Sequence, residues 1–352
     1  MGIITRSIAN NIVTGGKLDG TDGLSGVISA SNIENASLTN ITALSSNLGD
    51  AIESVSTDPV SPSEGQLWYN TTIGVLKGYQ LSVAAFSTGG NLSTARYALA
   101  GAGTQTTGLA FGGFNGTAMV GQAEEYNGSS WTAGGTMGTA RYRLAGAGTQ
   151  TAALATRGFA PSPISQTGLT EEYDGSTWTA GGTNPVIGSA SGATGTQTAG
   201  LNFGGSPNLS SSQEYDGSTW AGGGTLNTGR SILGGAGTQT AGLAFGAPTA
   251  TESYNGTSWT SVNSLNNSIQ GGCGATNTSA LAFTGTTPIG VESWDGTNWT
   301  NISATLGTPR SDFYGCGIQT SALVFGGQAP SITAATEEYT GAFLSVKKVT
   351  TS

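Results

Sequence analysis

A sixfold internal repeat is the feature that most constrains what this chain of 352 residues can fold into. Each unit has a Gly/Ala-rich stretch, then a short apolar run that ends near glycine, then a strand that carries an aromatic residue. The first unit reads ARYALAGAGTQTTGLAFGG from Ala95 and AEEYNGSSWTAGG from Ala123. Successive units lie about 40–47 residues apart, which is the length of one four-stranded sheet with its turns. The period therefore predicts a ring of similar sheets.

Two aromatic positions recur in the repeat at a fixed spacing. The Asp-Gly or Asn-Gly pair between them predicts a tight hairpin in which both central residues take a positive φ. Small residues such as Ala100–Gly103 fit the crowded centre of a ring, and aromatic residues fill its wider outer part. The first aromatic position holds Tyr126, Tyr173, Tyr215, Tyr254, Trp294 and Tyr339. The second, five residues later, holds Trp131, Trp178, Trp220, Trp259 and Trp299.

These features predict an all-β protein whose main domain is a six-bladed β-propeller with four-stranded blades. The sequence also predicts how the ring closes, because Phe86–Gly90 resembles Trp131–Gly135 and both segments lead into Thr-Ala-Arg-Tyr. Residues 83–90 are expected to form the fourth strand of the last blade, whose own unit lacks the tryptophan after Tyr339. Such closure removes the open sheet edges that promote aggregation.

The order of motifs within a unit resembles the kelch repeat, in which a Gly-Gly pair precedes a tyrosine, a tryptophan and an arginine. In the first unit these residues are Gly112, Gly113, Tyr126, Trp131 and Arg141. The arginine recurs at Arg96, Arg230 and Arg310, whereas Gly188 and Ser268 replace it in two units. The resemblance covers residues 86–345 and implies a kelch-like propeller, a fold that serves many functions.

The segment before the repeats has a different character and is expected to anchor or oligomerise the chain over residues 1–57. Apolar residues at alternating steps of three and four predict a short helix near residues 41–56. This helix either packs on the propeller or forms a short parallel coiled coil, and in that case a homo-oligomer is expected, with a trimer favoured. The candidate oligomerisation residues are Ile41, Leu44, Leu48 and Val55.

Residues 58–82 read as a Pro/Ser linker and a small hairpin, and residues 83–352 are assigned to the propeller. The string PSEGQLWYNTTIGVLKGY, from Pro62 to Tyr79, resembles a module of tailed-phage structural proteins, and so does the opening MGIITRSIANNI. This resemblance implies a virion appendage that contacts other virion proteins through its N-terminus. The expected location is the virion, assembled in the bacterial host cytoplasm.

The sequence lacks the residue combinations of an active site, so we expect no enzyme activity, no catalytic or metal-binding residue and no cofactor. Histidine is absent, which removes the commonest general base and metal ligand. A glutamate and a glutamine recur in almost every unit, and a sixfold pattern argues against one catalytic carboxylate pair. The glutamates, expected to pair with arginine or backbone donors, are Glu124, Glu171, Glu252, Glu292 and Glu337. The glutamines, expected to bind backbone groups, are Gln105, Gln150, Gln197, Gln239 and Gln319.

Charge and hydropathy restrict the partners. The net charge is −9 with a pI near 4.4, which repels phosphate backbones, so nucleic acid is not expected as a partner. No apolar run reaches the length of about 18–20 residues that spans a bilayer, so membrane insertion is not expected. Cys273 and Cys316 are the two cysteines, and free thiols are favoured over a disulfide bridge.

Variable loops on one face of the ring are where recognition is expected, because loops on a rigid scaffold commonly carry it. Plain packing within the loops is the alternative. The candidate ligand-binding residues are Phe114, Met119, Phe159, Pro161 and Ile164. The predicted function is host attachment by a tail-fibre or tail-tip protein, through a host cell-surface receptor or glycan. The alternatives are a structural head fibre or capsid decoration protein, and a cellular kelch-type interaction module.

Overall fold

The computed structural model describes residues 52–161, 163–269, 271–285, 290–328 and 330–349. It divides into two units, which are residues 1–83 with 342–352, and residues 84–341. Every regular element in the described residues is a β-strand, and none of these residues belongs to a helix that is long and apolar enough to cross a membrane. The fold is therefore all-β.

The strands are, in chain order, β1 (Glu53–Val55), β2 (Leu67–Asn70), β3 (Val75–Leu81), β4 (Ala85–Thr88), β5 (Ala100–Gly103), β6 (Gly108–Phe111), β7 (Gln122–Tyr126), β8 (Trp131–Thr136), β9 (Ala145–Thr149), β10 (Ala152–Thr156), β11 (Phe159–Ala160), β12 (Ser165–Gln166), β13 (Thr170–Tyr173), β14 (Trp178–Ala180), β15 (Gly192–Gly195), β16 (Gly200–Phe203), β17 (Ser212–Tyr215), β18 (Trp220–Gly222), β19 (Gly234–Gly237), β20 (Gly242–Phe245), β21 (Thr251–Tyr254), β22 (Trp259–Val262), β23 (Gly271–Thr276), β24 (Ser279–Thr284), β25 (Gly290–Trp294), β26 (Trp299–Ile302), β27 (Tyr314–Ile318), β28 (Ser321–Phe325), β29 (Thr336–Thr340) and β30 (Leu344–Lys348).

The second unit contains six four-stranded antiparallel sheets among its described residues, one for each sequence repeat. Their strand orders are β5-β6-β7-β8 (sheet 1), β9-β10-β13-β14 (sheet 2), β15-β16-β17-β18 (sheet 3), β19-β20-β21-β22 (sheet 4), β23-β24-β25-β26 (sheet 5) and β27-β28-β29-β4 (sheet 6). In sheet 6 the outer strand comes from the start of the unit, with Phe86 paired to Tyr339 and Thr88 to Glu337. Strands β11 and β12 form a small separate hairpin.

The composition of each strand follows its place in the sheet. In the inner strands, a side chain at Gly146 would put its Cβ 2.4 Å from the Gly101 carbonyl oxygen of sheet 1, so only glycine fits this close approach. The second strands are mostly apolar and almost entirely buried, as in Gly108–Phe111. Aromatic residues of the third and fourth strands pack behind them, with the ring centroids of Tyr126 and Trp131 4.9 Å apart. The core thus lies between neighbouring sheets.

The turn between the third and fourth strands differs from the predicted one. Tyr173 pairs directly with Trp178, so four residues form the loop rather than two, and only Gly175 has a positive φ, of 92°. The Asp174 carboxylate accepts hydrogen bonds from the backbone N–H groups of Ser176 and Thr177 at 2.8 and 2.7 Å. These bonds lower the pKa of Asp174. The prediction of a tight hairpin with two central residues at positive φ is therefore wrong. The Asp174 side chain accepts the bonds that a backbone carbonyl would accept in such a turn.

Tyrosine hydroxyls link each of four sheets to the sheet before it. Tyr173 donates to Glu125 of sheet 1 at 2.6 Å, and Tyr126 donates to Glu338 of sheet 6, also at 2.6 Å. The other two pairs are Tyr215 with Glu172 and Tyr254 with Glu214. Burial and the bonded carboxylate raise the pKa of each of these four tyrosines to about 12. Sheets 6 and 1 therefore meet through the same contact as consecutive sheets.

The recurring glutamines make a second link between sheets, which confirms that they bind backbone groups. Gln150 donates to the carbonyl oxygens of Gly108 and Tyr126 in the preceding sheet, at 3.0 and 2.7 Å. Gln105 of sheet 1 donates in the same way to the carbonyl of Tyr339 in sheet 6, at 2.6 Å. Gln197, Gln239 and Gln319 donate in the same way to the carbonyl oxygen of the recurring tyrosine or tryptophan of the preceding sheet.

Four of the recurring glutamates pair with the kelch-like arginines inside the protein, as predicted. The Arg96 and Glu124 side chains are 2.7 Å apart and almost fully buried. The other pairs are Arg141–Glu171, Arg230–Glu252 and Arg310–Glu337, each at 3.0 Å. In sheet 5, where Ser268 replaces the arginine, Glu292 accepts from the backbone and side-chain amides of Asn266 and Asn267. These glutamates are therefore held in structural ion pairs and hydrogen bonds and are not available as free carboxylates.

In sheet 3 the missing arginine is replaced in a different way, by an arginine from another sheet. Its arginine position is Gly188 and its glutamate position is Gln213. Arg157 of sheet 2 is fully buried and donates to the Gly204 carbonyl at 2.8 Å, the bond that Arg96 makes to Gly112 in sheet 1. Burial without a carboxylate lowers the pKa of Arg157 to about 10. A guanidinium from the neighbouring sheet thus occupies the vacant position.

The first unit is a four-stranded sheet with the order β1-β2-β3-β30. The predicted hairpin corresponds to β2 and β3, in which Asn70 pairs with Val75. Asp58 ties this sheet to the preceding loop, because its carboxylate accepts from Trp68, Asn70 and Lys77 at 3.0, 2.9 and 2.5 Å. The bonds from Lys77, Trp68 and Asn70 lower the pKa of Asp58 to about 2.

Two sequence predictions about this unit are wrong where the structure describes it. The helix near residues 41–56 is contradicted at its end, since Glu53–Val55 pairs in parallel with β2 and the Val55 carbonyl accepts from Thr71. Strand pairing there overrides a heptad pattern of which only Val55 falls among the described residues. The remainder, including Ile41, Leu44 and Leu48, lies outside the described residues. The C-terminus belongs to this unit rather than to the propeller, because β30 pairs with β3.

Replacing Tyr126 with phenylalanine tests the link between sheets 1 and 6. Loss of the bond to Glu338 should lower the free energy of unfolding by about 1–2 kcal/mol, because a bond to a charged acceptor is lost. Tyr339→Phe is the matched control, since that hydroxyl has no hydrogen bond within the described part of the chain and Ser293 stands where the glutamate would be. Urea denaturation followed by fluorescence measures both. Equal stability of the two variants would contradict the link.

Replacing Arg157 with glycine tests the shared arginine position. The loss of a charged donor to buried acceptors costs roughly 1.5–3 kcal/mol, and glycine offsets about 1 kcal/mol of this because Arg157 has a positive φ of 59°, so the variant should lose about 1–2 kcal/mol of unfolding free energy. Adding Gly188→Arg should recover part of the loss, since a Cβ at 188 would lie 3.6 Å from the Arg157 guanidinium and the backbone there is not left-handed. Thermal unfolding compares the three proteins. A double variant no more stable than R157G would argue against the exchange.

Candidate functional site

Five residues at the start of the inner strands share an uncommon backbone conformation and form what we call the inner belt. They are Ala98, Arg143, Ala190, Ile232 and Asp312, with φ of 51°, 53°, 50°, 60° and 50°. Backbone N–H groups join them in series, from Arg143 to Ala98, Ala190 to Arg143, Ile232 to Ala190 and Ala98 to Asp312, at 2.7–2.8 Å. Gln270, at the equivalent sequence position, lies outside the described residues. The backbone conformation of the inner belt thus repeats from sheet to sheet, whereas its side chains differ.

A cavity of about 430 Å³ lies among the inner strands, and the inner belt lines one end of it, which we call the mouth of the cavity. Its wall is mostly glycine, alanine and threonine. Arg143 and Asp312 are the charged residues among those that line it in the described part of the chain. Their side chains are 3.6 Å apart and partly exposed, and Asp312 also accepts a bond from Gln328 at 3.2 Å. The two charges at the mouth of the cavity cancel.

The inner part of the cavity carries no activated nucleophile. Tyr314 reaches across sheet 1 and donates to the Gly146 carbonyl of sheet 2 at 2.9 Å. Cys273 and Cys316 are buried and form no disulfide bridge, and the Cys316 thiol donates to the Thr104 carbonyl at 3.8 Å. Burial raises the pKa of the Cys316 thiol to about 12, so it is protonated at neutral pH. The described residues contain no group of three or more Asp, Glu, Cys or His that could hold a metal ion. The site offers hydrogen bonds, one ion pair and apolar contacts.

Four aromatic side chains form a row beside the inner belt, which we call the aromatic row. Tyr97 bridges to Phe114, and Tyr142 bridges to Phe159. Ring centroids along the row are 5.9 Å apart for Tyr97–Phe114, 5.9 Å for Phe114–Tyr142 and 5.1 Å for Tyr142–Phe159. The equivalent bridges in sheets 3 and 6 are polar, Ser189–Ser206 and Ser311–Gln328. These bridges are therefore aromatic in sheets 1 and 2 and polar in sheets 3 and 6.

The structure brings together some of the loop residues that the sequence singles out. Phe114 and Phe159 lie in the aromatic row, and Met119, half-buried, bridges to Phe114. Pro161 and Ile164 lie apart from the row, exposed in the connection between β11 and β12, with Ile164 69% exposed. The predicted oligomerisation residue Val55 lies in β1 of the other unit.

Sequence reasoning misses the charged pair and the two tyrosines. Tyr97 and Tyr142 directly follow the recurring arginine, and Ala98 and Arg143 come next. The signal was present, because the position held by Ala98, Arg143, Ala190, Ile232 and Asp312 differs in charge, size and polarity between neighbouring units. That Arg143 meets Asp312 depends on the order of sheets around the cavity, which a repeat alone does not give.

Comparison with known proteins supports the fold and leaves function open. No protein-family model matches the chain, and no curated protein matches its sequence. A solved structure titled "Structure of YjhT", a kelch-like propeller, is similar with a TM-score of 0.55 and 12% identity, over 73% of this chain and 99% of that chain. At this identity the likeness shows the fold alone. The second unit thus has a kelch-like β-propeller fold.

Replacing Ile232 with glycine tests the strain of the inner belt. A β-branched residue at positive φ costs about 1–2 kcal/mol, so I232G should stabilise the protein by about 1 kcal/mol. Ile318→Gly is the control, because Ile318 also lines the cavity with similar exposure, 43% against 41%, but has ordinary backbone. That change should destabilise by roughly 0.5–1 kcal/mol. Shifts of the same sign in urea denaturation would contradict the assignment.

Proposed function

We propose that this chain is a non-enzymatic protein of a tailed-phage virion appendage, a tail fibre or tail tip, that attaches to the host surface through its propeller. The observation that carries the proposal is the inner belt with its aromatic row. The architecture repeats from sheet to sheet, yet the side chains differ at the mouth of the cavity, which Arg143 lines and which Tyr142 precedes by one residue in the chain. Divergence on a repeated scaffold is typical of recognition.

The propeller we propose is a closed ring of six blades. Three contacts support closure between sheets 6 and 1, because each also occurs between consecutive sheets. They are the bonds from Ala98 N–H to Asp312, from Gln105 to Tyr339 and from Tyr126 to Glu338. A closed ring has no free inner edge, so it presents the mouth on a rigid support.

The attachment role is supported by the first 80 residues as well. The string from Pro62 to Tyr79 resembles tailed-phage structural proteins, and its hairpin is the centre of the sheet in the first unit. We propose that this unit and the residues before it contact other virion proteins and hold copies together, with a trimer favoured. The propeller is then the part displayed to the host.

A non-enzymatic role is supported by how the acidic residues are used. Each of Glu124, Glu171 and Glu337 is held by an arginine and a backbone N–H. The second glutamate of the repeat, one residue later, binds a tyrosine hydroxyl of the next sheet, as Glu125, Glu172, Glu214 and Glu338 do. Neither group is placed as a pair of free carboxylates around a substrate, as hydrolysis of a glycosidic bond requires. The cavity itself contains Asp312 paired with Arg143.

Binding of the labelled full chain to cells of the phage's host tests the attachment. We expect saturable binding that blocks phage adsorption, and at least about a tenfold loss for the double variant F114S/F159S, because two aromatic contacts are removed. Serine is tolerated at this bridge, as Ser206 shows in sheet 3, so the variant should fold. Ser206→Ala is the matched control and should bind normally.

Two results would count against the proposal. One is a full chain that neither binds host cells nor slows adsorption. The other is immunogold label on the capsid rather than on the tail, which would favour a head fibre or decoration protein.

A further inference from the structure

We propose that the mouth of the cavity binds an uncharged saccharide, with hydroxyl groups held by Arg143 and Asp312 and a sugar face packed on the aromatic row. This inference rests on the proposed attachment function and specifies its ligand. The two features are adjacent in the chain, since Tyr97 precedes Ala98 and Tyr142 precedes Arg143. One ligand of modest size can therefore contact both.

The charge of the site selects a neutral ligand. Arg143 and Asp312 cancel, and the other residues that line the cavity in the described part of the chain carry no charge. The whole chain has a net charge of −9, which disfavours a polyanion at longer range. An acidic or sulfated saccharide that approached Arg143 would also approach the negatively charged Asp312 carboxylate and be repelled by it. A neutral saccharide meets no such repulsion.

The hydrogen-bonding capacity of the mouth matches hydroxyl groups. The Arg143 guanidinium makes no hydrogen bond in the described structure beyond its 3.6 Å approach to Asp312, so its five N–H donors are available. Asp312 uses one oxygen for Gln328 and keeps acceptor capacity on the other. A hydroxyl donates and accepts at once, so neighbouring hydroxyls can accept from Arg143 and donate to Asp312.

The aromatic row supplies the apolar half of such a site. Its four rings are half-buried, so each is held in place by the others and still presents part of its surface. The hydroxyls of Tyr97 and Tyr142 have no hydrogen-bond partner among the described residues, and they add polar edges to the row. Sugar rings combine an apolar C–H face with polar edges, and aromatic residues that are apolar in body and polar at one end suit this combination.

The inner belt argues against a peptide as the ligand. Peptides commonly bind by adding a strand to an exposed sheet edge, through main-chain hydrogen bonds. The N–H groups of Ala98, Arg143, Ala190 and Ile232 already bond the carbonyl of the neighbouring sheet. Side chains rather than backbone are therefore presented at the mouth, and their fixed backbone reduces the ordering cost of binding.

The test uses the surface polysaccharide of the host strain, separated by anion exchange into a neutral and an acidic pool. Biolayer interferometry with the full chain should show binding to the neutral pool, with an affinity that changes less than about twofold between low and high salt, since no net charge is neutralised. F114S/F159S and R143Q/D312N should each weaken it at least about tenfold, and S206A should not. The R143Q/D312N variant keeps the mouth neutral, and circular dichroism checks that both variants fold.

The outcomes separate this inference from the attachment function. Binding confined to the acidic pool, with steep salt dependence, would overturn the neutral saccharide. So would cell binding that survives periodate oxidation of the surface glycans and is lost after protease treatment, which would leave attachment standing with a protein receptor. Unchanged affinity of both double variants would place the ligand elsewhere on the chain.

Discussion

The bonds between neighbouring sheets are the interaction on which the rest of this structure depends. A four-stranded sheet of this composition cannot bury its aromatic residues alone, so each must pack on the next. Tyrosine hydroxyls, glutamine side chains and the inner-belt N–H groups all point from one sheet to the sheet before it, as with Tyr173 to Glu125 and Gln150 to Tyr126. The glutamine side chains donate to carbonyls of the same tyrosine or tryptophan residues that recur in every repeat. One repeat motif therefore specifies both the sheet and its position beside the neighbouring sheet.

Variation in the repeat is compensated where it would break these bonds. Where Ser253 replaces the second glutamate, the next sheet carries Trp294 instead of tyrosine, and its ring nitrogen donates to the Asn277 carbonyl of its own sheet. In sheet 3, where the arginine is missing, Arg157 supplies it from the preceding sheet, and in sheet 5 Asn266 and Asn267 bind the glutamate instead. At the mouth of the cavity the side chains also change from sheet to sheet, but there the bonds between sheets are made by the backbone. That difference separates positions that hold the fold from positions available for a ligand.

Much of the fold follows from the sequence, because the period, the small inner residues and the aromatic pairs all point to the same arrangement of sheets. The architectural use of the glutamates and glutamines also follows, since a sixfold pattern fits a repeated structural bond. The turn type does not, because an Asp174 side chain that binds the backbone looks identical in sequence to a residue at positive φ. The strand at Glu53–Val55 is missed because its pairing partner β2 lies in another segment. The candidate site is half predicted: Phe114 and Phe159 stand out as loop aromatics, whereas Arg143 and Asp312 meet only through the order of the sheets.

Native-state hydrogen exchange of the inner-belt amides tests the central claim most directly. If the same contacts seal every boundary between sheets, the amides of Ala98, Arg143, Ala190 and Ile232 should exchange with one common free energy, close to that of global unfolding of the propeller. Ala98 is decisive, because its acceptor Asp312 comes from the last sheet. Exchange of Ala98 much faster than that of Arg143 would show that sheets 6 and 1 separate more easily than consecutive sheets, and would contradict the account.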